Sequence, residues 1–188
     1  MRSAHREYFD VMHIPYQLKR STRARTMRLV VHPDARVVVT APHAFGQDSI
    51  ERFVVKHSDW IERHVKQTRG RIVIRVWRHK IPVLKKRALV MASERCAHFA
   101  ATYGCTLKKI TVRAQKSRWG SCSREGNLSF NYKIAVLPPH IADYIVVHEL
   151  CHLAEMNHGK KFWDLVAKTV PEHKTTRAEL RRVVVVYD

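Results

Sequence analysis

Apolar and polar positions alternate through the first third of the chain. Ile14, Tyr16 and Leu18 share one side of an extended backbone, as do Met27, Leu29 and Val31, then Val37, Val39 and Ala41. A period of two is the signature of half-buried strands, and Pro33-Asp34 supplies a turn between the second and third. The period then changes. Ile50, Phe53, Val54, His57, Trp60, Ile61, His64 and Val65 recur at i, i+3, i+4 and i+7 spacing, which predicts one helix with a single apolar face. Asp48 with Glu51 three residues later predicts a capping box at its start.

Residues 71–77 read as another strand. Pro82 precedes a helix over about 83–103, closed by Gly104 as its stop. Ile110, Val112 and Ala114 alternate again, Glu125-Gly126-Asn127 is turn chemistry, and residues 128–136 read as the strand that follows. Pro138 and Pro139 open a helix at the position where proline is tolerated. Two further helical stretches, about 160–169 and 172–182, are separated by Pro171, and the β-prone tail 183–187 has no evident partner. Strands, a long helix, more strands and a helix-rich end imply an α+β protein. The most polar stretch, Lys66-Gln67-Thr68-Arg69-Gly70-Arg71, marks the boundary. A β-rich N-terminal subdomain with one helix is expected over 1–70, and a second domain over 71–188.

Composition removes several classes. Hydrophobic residues make up 45% of the 188, enough for a core, so the chain is not disordered by composition. No run approaches ~20 apolar residues, so no membrane span is expected. The start, Met1-Arg2-Ser3-Ala4-His5-Arg6-Glu7, has no apolar run behind it, against a secretory signal. Cys96, Cys105, Cys122 and Cys151 show no C-x-x-C spacing and read as reduced thiols of a cytoplasmic protein. Lys and Arg number 35 against 16 Asp and Glu, a formal charge of +19. A field of that size attracts polyanions, and Lys19, Arg20, Arg23, Arg25 and Arg28 are candidate nucleic-acid contacts.

The candidate chemistry sits in His148-Glu149-Leu150-Cys151-His152. On a helix the two imidazoles stand about 40° apart around the axis and one turn along it, close enough to grip one ion. Glu149, roughly 100° away from His148, is poorly placed as a ligand but well placed to act on a metal-activated water as general base. Thirteen histidines in 188 residues lead to about 0.04 chance occurrences of this His-Glu-x-x-His pattern, so context has to decide. Ile141, Ile145, Val146, Val147, Leu150 and Leu153 make the helix apolar and buried, where uncompensated histidines and a glutamate would carry a desolvation cost that a metal removes.

His158, six residues after His152, is the candidate third ligand, with Asn157 and Gly159 as residue types that let the chain turn back. Three imidazoles leave a fourth position open for water, the catalytic zinc arrangement. Glu172 and Glu179 are the alternatives. Asp143, Glu155 and Asp164 are candidate acceptors for ligand N–H groups.

These residues resemble the YgjP-like metallopeptidase-domain family, relatives of the SprT and WLM zincins. The likeness covers about residues 85–182. It rests on Ser117-Arg118-Trp119-Gly120-Ser121-Cys122, Gly126, Asn131, Pro138, the run from Asp143 through His152, Asn157-His158 and Phe162-Trp163. The resemblance implies a zincin-like catalytic domain, a small β-sheet plus an active-site helix and C-terminal helices. It also implies one zinc ion held by His148, His152 and His158, with Glu149 as catalytic acid and base. Where the related metzincin pattern has a glycine three residues past the second histidine, this chain has Glu155, so the turn towards His158 is made differently.

Arg118 is read as a candidate for binding a substrate carboxylate or oxyanion, and Asn131 as a candidate substrate contact or loop-orienting residue. Trp119 reads as a core anchor, Gly120 as a turn residue, and Phe162 and Trp163 as packing behind His158. Tyr132 and Tyr144 are candidate phenol donors; Cys122 and Cys151 read as buried thiols. His5, His13, His32, His43, His57, His64, His79, His98, His140 and His173 show no ligand spacing. The expected function is zinc-dependent peptide-bond hydrolysis of the HExxH type, with an edge strand within 128–136 holding an extended peptide or protein substrate. The alternatives are a basic nucleic-acid-associated protein with a secondary or degenerate zinc site, and a zinc hydrolase acting on a non-peptide substrate.

Overall fold

The structure, a computed structural model, describes residues 7–188. His5 and the start of the chain, read above for a targeting signal, lie outside the described residues. Two units emerge, Met1–Val73 and Ile74–Asp188.

In the first unit, β1 (Glu7–Val11) and β2 (Ile14–Arg20) form an antiparallel hairpin with Glu7 opposite Leu18. Its two-residue turn requires left-handed backbone, which Met12 and His13 both adopt at φ 50° and 61°. β3 (Arg28–Val31) and β4 (Val37–Ala41) pair antiparallel, and β4 runs parallel to β2, so the sheet order is β1-β2-β4-β3. The Pro33-Asp34 turn is closed by His32 N–H to the Arg36 carbonyl at 2.8 Å, with an Asp34–Arg36 ion pair at 2.6 Å. β1 escaped the sequence pattern because it offers only two inward apolar positions, Phe9 and Val11, which pack against the core of this unit, while Tyr8 is exposed.

The single helix expected around residues 50–65 is two helices, α1 (Gln47–Lys56) and α2 (Ser58–Thr68), broken at His57 with φ −107° and ψ 14°. The His57 N–H bonds back to the Val54 carbonyl, and its Nδ1 lies 2.7 Å from the Phe53 carbonyl, which closes α1. The apolar stripe survives the break. Ile50, Val54 and Ile61 are buried with Ile14, Tyr16, Leu18, Val37, Val39 and Ala41 in one core. The capping box does not form, since α1 begins after Gly46 with no side-chain cap. Gln47 instead engages Glu51, donating at 2.8 Å, and the Tyr16 hydroxyl at 3.0 Å.

β5 (Ile72–Val76) leads into α3 (Ile81–Tyr103), which starts before the expected position with Pro82 in its first turn. Gly104 ends it at φ 57°, left-handed backbone that costs glycine nothing. β6 (Lys109–Arg113), β7 (Gly120–Cys122) and β8 (Asn127–Asn131) form a sheet in the order β6-β8-β7, with β8 parallel to β6 and antiparallel to β7. The strand expected over 128–136 therefore stops at Asn131, whose Oδ1 accepts the Lys133 N–H at 3.2 Å and turns the chain into the 3₁₀ segment Tyr132–Val136. β8 is flanked on both sides and cannot add a peptide strand. The edge strands of this sheet are β6 and β7.

α4 (Pro139–Cys151) buries Ile141, Ala142, Ile145, Val146, Val147, Leu150 and Cys151, so it sits inside the second unit, packed on α3. Arg95 of α3 holds Asp143 of α4 through two 2.6 Å bonds. α5 (Lys160–Thr169) and α6 (His173–Arg182) follow, and β9 (Val183–Tyr187) pairs with β5. The tail thus has a partner that begins 111 residues upstream, at Ile72 against Val183, too remote for local pattern to reveal. Tyr187 is tied to Tyr132, hydroxyl to hydroxyl, at 2.6 Å. Among the described residues, no helix is long and apolar enough to cross a membrane.

Candidate metal centre and active site

α4 ends at Cys151, and His152 continues the right-handed backbone as its cap, at φ −67° and ψ −16°. His148 and His152 therefore keep helical spacing, with ring centroids 4.9 Å apart. The chain then doubles back through bonds from Leu153 N–H to the Leu150 carbonyl and from Glu155 N–H to the Cys151 carbonyl. No residue from 150 to 160 has a positive φ. The missing glycine at position 155 is accounted for, and neither Asn157 nor Gly159 makes a left-handed turn. Gly159 instead precedes α5 in extended backbone.

One ligand nitrogen from each of His148, His152 and His158 lies within 4.8 Å of the others. Nε2 of His148 and Nε2 of His158 are 3.0 Å apart. Two nitrogens bound tetrahedrally to zinc at about 2.0–2.1 Å would be separated by about 3.3 Å, close to the spacing of this pair, and the third imidazole nitrogen lies within 4.8 Å of both. The His152 Nδ1 lies 3.1 Å from the Glu155 carbonyl, which can only accept; Nδ1 is therefore the donor, and the neutral ring in this tautomer presents its lone pair at Nε2. Burial holds the His148 pKa down at about 3, with His152, His158 and Arg177 adding to the effect. Burial also lowers that of His158. Neutral imidazole is the form that binds a metal.

Phe162 secures the three rings. It is fully buried, stacks on His152 at 4.5 Å, and meets His148 and His158 edge-on at 4.9 and 4.7 Å. Trp163 donates from Nε1 to the His158 carbonyl at 3.0 Å, tying down the backbone of that residue. Its ring stacks on His173 at 5.4 Å, and the Arg177 guanidinium lies 5.0 Å from its centroid.

Glu149 points towards the sheet. Its side chain is 6% exposed and lies against Gly120 of β7, where a Cβ would stand 2.5 Å from Oε1. Gly120 is thus a strand residue whose bareness admits the carboxyl group, in place of the turn residue expected. Burial pushes the Glu149 pKa up to about 8, opposed by the Arg118 charge. The cleft above, about 360 Å³, is lined among others by Arg118, Gly120, Tyr144, His148, Glu149, His158, Arg177 and Arg181.

Other candidates fall elsewhere. Asn131 is 2% exposed and donates from Nδ2 to the Gln115 and Arg118 carbonyls at 2.7 and 3.0 Å, so its side chain holds the loop carrying Arg118. Tyr132 is committed to Tyr187 and Asp143 to Arg95. Glu179 lies 2.8 Å from His140, and Glu172 adjoins the start of α6. The acceptor for His152 is the backbone of Glu155, not its carboxylate. Burial raises the Cys122 and Cys151 thiols to about 11. Sequence reasoning missed Arg177 and Arg181, which nothing distinguishes among the 35 basic residues.

The family model for the YgjP-like metallopeptidase domain matches residues 25–80 and 75–183. The chain belongs to this family. As a YgjP-like metallopeptidase-domain protein it is a metal-dependent peptidase by class, and the family implies a bound metal. Among solved structures, the metallopeptidase zymogen of Pyrococcus abyssi abylysin is 24% identical, over 50% of this chain and 100% of its own, with a TM-score of 0.45. The zymogen of Methanocaldococcus jannaschii jannalysin is 18% identical over 48% and 93%, with a TM-score of 0.43. No curated protein matches the chain.

Proposed function

We propose that the protein is a zinc peptidase of the HExxH type, with His148, His152 and His158 as ligands and Glu149 as catalytic acid and base. The observation that carries this reading is the convergence of three imidazole nitrogens within 4.8 Å, beside a buried glutamate facing the same cleft. These three imidazoles would hold the zinc, which when bound would supply an acidified water and a Lewis acid for the scissile carbonyl.

Glu149 supplies the proton traffic. Buried beside the three imidazoles and facing the cleft, its carboxylate is placed to take a proton from a metal-activated water and return it to the leaving amine nitrogen. Gly120 lets that group sit against the sheet, and Arg118 stands at the cleft to bind substrate oxygen. Edge strand β7, which carries Gly120, offers the backbone along which an extended peptide can lie. Metal analysis of the purified protein with peptide-library cleavage tests the reading. One zinc per chain with cleavage supports it, and a zinc-loaded protein that cleaves no peptide removes it.

A second reading concerns the first unit. Lys19, Arg23, Arg25 and Arg28 are exposed there, in a chain of charge +19, as a surface for nucleic-acid phosphates. Arg20 is not part of it, because its guanidinium donates to the Pro42 and Phe45 carbonyls.

A further inference from the structure

Three arginines line the cleft: Arg118 from the segment ahead of β7, and Arg177 and Arg181 from α6. Spaced four residues apart, Arg177 and Arg181 lie on one face of that helix, a turn from each other. All three are exposed. Among the described residues none of them is in an ion pair. The carboxylate of α6 itself, Glu179, is taken by His140. Arg177 is steadied by lying over the Trp163 ring. Among the described residues, the one acidic residue lining the cleft is Glu149, buried against Gly120.

Three guanidiniums against one carboxyl group leave an excess of positive charge before any metal ion is counted. A site so unbalanced favours a substrate that brings negative charge and disfavours one that brings more positive charge. The planar guanidinium fork matches a carboxylate in particular.

We infer that the substrate is a peptide with a carboxylate close to the scissile bond, received by Arg177 and Arg181 together with Arg118. This deepens the peptidase reading and rests on it. The carboxylate has two possible sources, an acidic side chain and a free C-terminus.

The test uses the zinc-loaded full chain and peptides identical except for Glu, Gln or Lys beside the cleaved bond, each with a free or an amidated C-terminus. The expected result is a kcat/KM preference of roughly five- to tenfold at each step from Lys to Gln to Glu, shrinking with added salt. If the C-terminus is the source, the preference appears between free and amidated peptides. Arg181→Gln, which leaves the Trp163 stack untouched, should bring the ratio towards one with zinc content unchanged, and Arg181→Glu should reverse it. Arg177→Gln should act in the same direction. Equal kcat/KM for all peptides, with turnover intact, overturns this inference alone. Zinc-loaded protein that cleaves none of them overturns the peptidase reading and this inference with it.

Discussion

The Glu149 carboxyl group rests against the bare α-carbon of Gly120. A methyl group built there would stand 2.5 Å from Oε1, 2.6 Å from Cγ and 2.8 Å from Cδ. An edge strand of the sheet therefore sets the position of the candidate general base on α4. Gly120→Ala should displace Glu149 while leaving the three histidines in place. Overpacking of this kind costs about 1–3 kcal/mol. Turnover should fall far more than zinc content, as read by activity per zinc-loaded molecule. A fully active alanine variant would show that the carboxyl position is not critical.

Glu149→Gln removes the proton acceptor and preserves the shape of the side chain. Loss of a general base typically costs about 10²–10⁴-fold in rate, and zinc stoichiometry should be unchanged. His148→Ala should lose the metal itself. Chelation of the native protein should abolish turnover and lower its melting temperature, with re-added zinc restoring both. Full metal occupancy in His148→Ala would mean that the ligand set is wrong.

Phe162 and Trp163 separate ring packing from backbone anchoring. Phe162→Ala opens a cavity against three imidazoles and should cost about 3–5 kcal/mol, seen in denaturant unfolding. Trp163→Phe keeps an aromatic ring but removes the N–H bonded to the His158 carbonyl. A bond of this kind contributes about 0.5–1.5 kcal/mol, so competitive chelation should report zinc binding weaker by up to about tenfold in a stable fold. Unaltered zinc affinity in Trp163→Phe would remove the anchoring role.

Asn131→Ala tests loop support against substrate contact. Two donated bonds and one accepted bond disappear, and buried bonds contribute about 0.5–1.5 kcal/mol each. Stability should fall by about 2–4 kcal/mol. If KM rises while the melting temperature holds, Asn131 contacts substrate directly.

For the first unit, reversing Arg23, Arg25 and Arg28 to Glu should abolish any salt-sensitive binding of DNA or RNA by the full chain. Binding that is absent in the native protein, or indifferent to salt, leaves these side chains as solvated surface.

Local pattern reached much of this molecule. Period two at residues 14–18 and 37–41 marked strands whose inner positions are buried, and Gly104 and Pro139 marked helix ends because their backbone limits are intrinsic. The His148, Glu149 and His152 spacing could also be read directly, since helical geometry alone brings i and i+4 together. Several features lay outside that reach. His57 breaks a helix whose apolar stripe runs on unbroken, because the stripe reports burial and not hydrogen bonding. The strand begun at 127 ends at Asn131 because one amide side chain bonds the backbone two residues on.

What the sequence determined by itself was most of the local elements and the candidate side chains that α4 carries, since both follow from residue type and short-range geometry. Tertiary structure alone decided the use of Gly120 as a berth for Glu149, the arrival of Arg177 and Arg181 at the cleft, and the pairing of β9 with β5. Each depends on segments distant in the chain meeting in space, and nothing in local spacing encodes which distant surface a side chain will face.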